Sequence, residues 1–402
     1  MFQQKHYKNS IQVAREFGVT SGTVHNWLQK TQKYNIETIN INGKARIIIN
    51  DTNIQILKNL STENKKFKPL GDRITIKVKP KSHEYLSDNQ RLLLMTTLVT
   101  KSEMPYKYHY LNEGGAAWDR FYKKTIGTTE YPATSTGNSF LKDNLPFLKK
   151  TFESAPKVNI VDIGCGDGIP TNELIQTLKE NSVLSSYTAI DISPEMLEIC
   201  KTNTKDSLKG IPSDYIHLDI ENASFHEVLL AIKKTYGKDI PTLILCLGST
   251  IGNMESISRT VFNIKDGMLD NDKLLIVNST LGKNEPKNTP PHGLSIIEGY
   301  DFLNLLRRTL GIADEYIENF HRYNEETGYR EYGFMPTRDL FLDFVGYDEV
   351  IPLYKGQKVT TWKHKKDDFD TVYALRDEVK MKLDLVIKHP IHDNIMYILG
   401  KR

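Results

Sequence analysis

The sequence predicts an α/β fold, a doubly wound and mostly parallel sheet, with a small basic domain in front of it. Three observations predict this. From residue 157 onward short apolar strands alternate with amphipathic helices. The early strands end in acids and one opens into a glycine-rich turn. Residues 1–66 hold ten Lys and Arg against four acids, a net +6, so the whole-chain charge of +3 leaves −3 for the rest. Such asymmetry suggests a polyanion partner for the head and a different task for the body. With 402 residues there is room for two or three domains, and 39% hydrophobic against 26% charged residues excludes disorder throughout. No run approaches the ~18 apolar residues of a membrane span, and residues 1–6 lack the apolar core of a signal peptide, so a cytoplasmic protein with no membrane partner is expected. Cys165, Cys200 and Cys246 show no CxxC spacing, which argues against a disulfide framework and a cysteine zinc site.

In the head, residues 10–31 (SIQVAREFGVTSGTVHNWLQKT) place Ile11, Ala14 and Phe17 on one helical face and Val24, Trp27 and Leu28 on another, with Gly18 between. This is a helix-turn-helix pattern, with Thr20 as cap of the second helix. Its exposed face would carry Ser21, Thr23, His25 and Asn26, short polar groups suited to bases or phosphates. Residues 35–49 form two β-rich runs about Asn42-Gly43, a hairpin signal, and would carry Lys44 and Arg46 as a wing. Helix and wing together resemble the winged helix-turn-helix of MerR-like regulators, which implies DNA as a partner and a homodimer formed through the amino-terminal region. A protein-interaction module is the plain alternative. Residues 67–90, Lys-rich with Pro69 and Pro80, read as a linker with one short alternating run at 74–78.

Residues 157–178 (KVNIVDIGCGDGIPTNELIQTL) give a strand, a turn and a helix, and glycines at 164, 166 and 168 let the backbone pass close to a ligand. That spacing alone also suits a dinucleotide. A second strand ends at Asp191, where a carboxylate can accept both ribose hydroxyls. A third ends at Asp219, near an adenine amino group, and a fourth runs into Gly248 and the stretch 246–254, CLGSTIGNM. Asp162, Asp191 and Asp219 in register are more specific than the glycines.

Asp162 in DxGxGxG resembles class I S-adenosylmethionine (SAM) methyltransferases, and LGSTIGN resembles the histidine-specific methyltransferase family. The family includes the ergothioneine-pathway histidine N-α-methyltransferase and a dimethylallyltryptophan N-methyltransferase. Residues 110–132, 298–308, 329–334 and 355–358 extend the likeness, so that it covers roughly 105–402. The resemblance implies a class I Rossmann-like sheet with an added acceptor-binding α+β subdomain. Its boundaries would be 1–66 for the head, 67–90 for the linker and 91–402 for the methyltransferase, the last divided at 91–156, 157–282 and 283–402. It further implies SAM bound by Asp162, Gly164, Gly166, Gly168, Asp191, Asp219, Ile220 and Gly248. Asn253 and Tyr131 would orient the acceptor nitrogen, with Tyr110 lining the pocket. Glu331 would hold the acceptor's side chain. Gly333 stands where the histidine enzyme has a polar residue, so a substrate other than histidine is left open.

The implied reaction is N-methylation of an amino acid or an amine derived from one. Methyl transfer needs a neutral, aimed lone pair in a dry pocket and no strong base. Tyr106, Tyr108, Tyr110, Trp118 and Tyr122 either face a cation or pack a helix onto the sheet. The scattered histidines include no convincing metal set, and no metal is expected. The alternative is a regulator whose body senses SAM or a metabolite.

Overall fold

The computed structural model describes residues 7–8, 13, 24–25, 27–28, 36–41, 44–48, 52–57, 73–78, 86–111, 113–125, 140–151, 155–248, 250–280, 297–347, 350–389 and 394–402. The chain divides into two compact units, residues 1–78 with 338–355, and residues 79–337 with 356–402.

In the first unit β1 (Tyr7–Lys8), β2 (Thr38–Ile41) and β3 (Lys44–Ile48) form a sheet of order β1-β3-β2. The β2–β3 pairing sets Ile41 opposite Lys44, so the hairpin expected about residues 42–43 is formed. Val13, Val24, Trp27, Ile36, Ile47 and Leu57 make one small core, which agrees with the apolar faces assigned to Val24 and Trp27. Asn53 ties the hairpin base to residues 52–57, donating to the carbonyls of Glu37 and Ile48 and accepting from the Glu37 amide. His25 is helical and exposed. Ile11, Ala14, Phe17, Gly18, Thr20, Ser21, Thr23 and Asn26 lie outside the described residues, as do the side chains of Lys44 and Arg46. The segment read as a linker carries β4 (Arg73–Val78), which pairs in parallel with Asp339–Phe344, itself paired with Val350–Leu353. Only a run of alternating residues announced β4; its partner lies more than 260 residues away in the chain.

In the second unit the central strands are β5 (Val158–Ile163), β6 (Leu184–Asp191), β7 (Ser213–His217), β8 (Thr242–Cys246) and β9 (Lys273–Ser279). They belong to a seven-stranded sheet whose remaining strands are Lys382–Lys388 and Asn394–Gly400. The order, with the latter two first, is completed by β9-β8-β5-β6-β7, all parallel, while Asn394–Gly400 runs antiparallel to β9. β5 and β8 are buried along their whole length, as strands covered on both faces must be. One core includes Ile160, Ala189, Leu245 and Cys200, the other Val161, Ile190, Ile244 and Cys246. All three cysteines are free and buried. A second sheet joins β10 (Ile317–Asn324), β11 (Tyr329–Pro336) and the strand Val359–Lys365. The α/β architecture and the separate subdomain sheet thus match expectation. No helix of the described residues is long and apolar enough to cross a membrane.

Behind β8, Lys233 donates to Asp272 Oδ1 at 2.8 Å, with side chains 5% and 0% exposed, and Asp272 also accepts from the amides of Thr242 and Leu269. Removing one partner of such a pair strands a buried charge. Lys233→Met should therefore cost about 3–5 kcal/mol in chemical denaturation. A loss below about 1 kcal/mol would show that the pair is solvated in solution.

Candidate active site

The site is built where β5, β6 and β8 end. After β5 the chain turns through Gly164, Gly166 and Gly168, with φ of 62°, 54° and 74°, a region that L side chains avoid. Their reasons differ. A Cβ on Gly164 would lie 2.5 Å from Thr250 Cγ2, and one on Gly168 would lie 2.7 Å from Cys200 Sγ, so both glycines let protein pack against the turn. A Cβ on Gly166 would meet nothing within 4 Å, and Gly248, with φ 64°, is equally open. Neither position is filled by the protein, so the backbone there is open to close approach. The Gly164–Thr250 contact also seats the turn Thr250–Asn253 against the glycine loop.

The acids are fixed by hydrogen bonds. Asp162, 1% exposed, accepts on Oδ2 from the Tyr187 hydroxyl at 3.0 Å and from the Thr171 hydroxyl. Its visible role is to organise the turn. Asp191 accepts from the Gly166 amide at 3.2 Å on one oxygen and from the Ser193 amide at 2.9 Å on the other. It thereby links the end of β6 to the open glycine. Burial pushes Asp162, Asp167 and Asp191 each up to about 6. Asp219 accepts on Oδ2 from Lys107 Nζ at 2.7 Å and Asn222 Nδ2 at 2.8 Å, and on Oδ1 from the Glu221 amide at 3.2 Å. Ile220, beside it, is buried and its carbonyl accepts from Asn263.

Covering elements come from α1 (Asp88–Lys101), the 3₁₀ helix Tyr106–Tyr110 and α2 (Glu113–Thr125). The Ala116 amide donates to Glu195 Oε2 at 3.0 Å, fastening α2 to the helix after β6. The 3₁₀ helix is pinned three times. Lys107 reaches Asp219, Tyr106 donates to Met254 Sδ at 3.6 Å, and His109 Nε2 lies 2.9 Å from the Thr361 carbonyl. Tyr110 packs edge-on against Trp118 and tilted against Phe302, with ring centroids 5.8 and 5.1 Å apart, in a cluster with Leu303, Tyr332 and Trp362. Among the tyrosines read as either cation-facing or packing, Tyr110 is therefore in contact with other aromatic rings.

Asn253 Oδ1 lies 3.0 Å from His364 Nδ1, and His364 stacks on Trp362 with rings 11° apart. Burial, then the nearby Lys366 and Arg330 charges, lower His364 to about 3, so its imidazole is neutral near pH 7. His364 faces Arg330 across the β11 register, whereas Glu331 alternates to the other face. There Glu331 accepts from Arg322 Nε at 2.6 Å and Asn324 Nδ2 at 2.8 Å. Asn253 thus meets His364, while Glu331 is held by Arg322 and Asn324. A bulge follows Tyr332, and a Cβ at 333 would lie 2.0 Å from the Val359 carbonyl, so glycine answers to backbone crowding there. Tyr131 and Ser249 lie outside the described residues. Sequence reasoning missed Thr171, Tyr187, His364 and Lys107. Of these only Lys107, a single cation inside the run YKYHY, left a signal: charge amid aromatic residues needs a buried partner.

Residues 89–288, about half of the chain, match the family model described as histidine-specific methyltransferase, SAM-dependent. No curated protein matches the chain. Among solved structures, a SAM-dependent methyltransferase from Clostridium acetobutylicum is 10% identical, with 71% of this chain and 98% of that one covered and a TM-score of 0.37. The magnesium protoporphyrin IX methyltransferase of Synechocystis with bound S-adenosylhomocysteine (SAH) is 10% identical, covering 78% and 100%, TM-score 0.37. DesVI of Streptomyces venezuelae is 9% identical, covering 73% and 100%, TM-score 0.36. The fold rests on strand order and the family match. The methyl donor of this family is SAM, and the open Gly166, whose amide donates to Asp191, fits it.

Two expectations follow for SAH, measured by calorimetry. Gly168→Ala should cost about 2–5 kcal/mol of stability through strain and overlap, while Gly166→Ala should cost only about 1–2 kcal/mol yet abolish binding; binding retained in Gly166→Ala would show that the ligand does not approach that glycine. SAH affinity should also fall as pH drops through about 6, because protonated Asp191 loses acceptor capacity. The same upward shifts make the native state bind more protons than the unfolded one, so ligand-free stability should fall as pH rises from 4 toward 6. Affinity that stays flat from about pH 8 to 5 would contradict the placement of Asp191.

Proposed function

Proceeding from a SAM-dependent methyltransferase body over residues 89–288, we propose that the protein methylates the nitrogen of an amino acid or of a small amine derived from one. The observation that carries this reading is the contact of Gly164 with Thr250, which seats the turn ending in Asn253 directly against the glycine loop. SAM, when bound, supplies an electrophilic methyl group on a sulfonium. Asp191 would receive the ribose hydroxyls, Asp219 the adenine amine, and Ile220 and Gly248 would border the purine and the turn. Asp162 keeps the loop in shape through Thr171 and Tyr187.

On the acceptor side Asn253 orients the amine, and its own rotamer is held by His364. The Tyr110, Trp118 and Phe302 rings offer an apolar wall that excludes water and suits a nitrogen passing from cation to neutral amine. Tyr131 belongs to the same proposal as the phenol between donor and acceptor. Positioning of this kind accounts for ~7–11 kcal/mol of a barrier, so a dedicated strong base is not required. Glu331, oriented by Arg322 and Asn324, would hold the acceptor's side chain with its remaining acceptor directions. For the head, a net +6 and the hairpin bearing Lys44 and Arg46 support DNA as its partner.

The test is the full-length protein with methyl-labelled SAM and a panel of free amino acids and their decarboxylated amines. Label should appear on one α-nitrogen, and Asn253→Ala should reduce the rate about 10²-fold or more, by analogy with loss of one positioned polar group. SAH binding without transfer to any member of the panel would overturn the amine assignment.

A further inference from the structure

Lys107 is 8% exposed, and its ammonium touches two carboxylates, Asp219 Oδ2 at 2.7 Å and Glu221 Oε2 at 3.3 Å. A buried lysine is retained only where it is paired. Glu221 is itself held, since its other oxygen accepts from the Glu255 amide at 2.7 Å, and Glu255 pairs with Lys101 of α1. The cluster therefore ties α1 and the 3₁₀ helix to the end of the third parallel strand.

A carboxylate offers about four acceptor directions. At Asp219 three are filled: Lys107 and Asn222 take Oδ2, and the Glu221 amide takes one direction of Oδ1. The Asp219 side chain stays 29% exposed, unlike Lys107 at 10%. One acceptor direction on Oδ1 is thus left for a donor from outside, and Lys107 fixes which oxygen offers it.

We infer that Lys107 is a specificity-determining positioning residue, which locks the Asp219 carboxylate so that it selects a purine bearing an exocyclic amine over one bearing a carbonyl at the same position. This rests on the reading above that Asp219 faces the adenine of SAM. An amine donates to the free direction, whereas a 6-oxo group presents a second acceptor to it and gains nothing. Lys107 also carries the consequence across the site, since its 3₁₀ helix holds Tyr110 on the acceptor side.

The full-length protein is titrated with SAH and with its deaminated analogue S-inosylhomocysteine, for wild type, Lys107→Met and Lys107→Arg. Wild type should prefer SAH. Lys107→Met should weaken SAH about ten- to a hundredfold, the range for losing a hydrogen bond to a charged group, and leave S-inosylhomocysteine nearly unchanged. Lys107→Arg should restore most of the preference. Lys107→Gln, which keeps a hydrogen-bonding group without the charge, replaces Lys107→Met if thermal melting shows that variant unfolded. Equal weakening of both ligands would make Lys107 a scaffold residue and overturn the inference, as would an unaltered preference in the neutral variants. Wild type that binds SAH without preferring it also overturns the inference while sparing the cofactor assignment. Wild type that fails to bind SAH at all overturns the cofactor reading beneath it.

Discussion

Carboxylates buried at the rim of a parallel sheet impose the strictest demand on this protein. Asp162 and Asp191 sit where an unsatisfied oxygen would cost several kcal/mol, and each is accordingly met by donors, Asp162 by the Tyr187 and Thr171 hydroxyls and Asp191 by the Gly166 and Ser193 amides. Those donors fix the loop in turn. Asp191 draws the Gly166 amide toward β6, and Tyr187 and Thr171 hold Asp162 beneath the turn. The left-handed Gly166 belongs to this constraint, because its amide must reach Asp191, whereas Gly164 and Gly168 make room for Thr250 and Cys200. The rim is thus held by the protein's own hydrogen bonds.

A second constraint ties the covering segments to the rim. Tyr106–Tyr110 is only five residues long, yet it contacts the acid after β7, the turn after β8 and the strand Val359–Lys365. Short 3₁₀ segments have little stability of their own, so these contacts are what hold it. The rim and the sheet that carries Val359–Lys365 are therefore joined through one short segment, and a change at Lys107 is expected to be felt at Tyr110.

Much of this was legible in the chain itself. Asp162, Asp191 and Asp219 stood out because strand ends and helix starts have local signatures, and Gly164, Gly166 and Gly168 because positive φ restricts residue choice. Pairing across long separations was not legible. Lys107 meets Asp219 across 112 residues, and nothing near either residue announces the other. Glu331 and Asn253 illustrate the same limit in a sheet. Strand alternation is visible in sequence, but which face meets which neighbour is settled by register, and here register sends Glu331 to Arg322 and Asn324. The crowding at Gly333 was not legible either, because a bulge is a property of two strands. In the head, the hairpin and the apolar pair Val24 and Trp27 were readable, while the helix-turn-helix geometry lies outside the described residues.

The parallel pairing of β4 with Asp339–Phe344 bears on how the molecule may be cut. A boundary drawn after residue 90 would remove β4 and leave Leu340, Leu342 and Phe344, all buried in the intact chain, on a strand whose freed edge offers its amides and carbonyls to any other chain. The amino-terminal portion is stitched into the sequence that follows it by more than two hundred residues. A fragment meant to isolate the body is therefore better begun before Arg73.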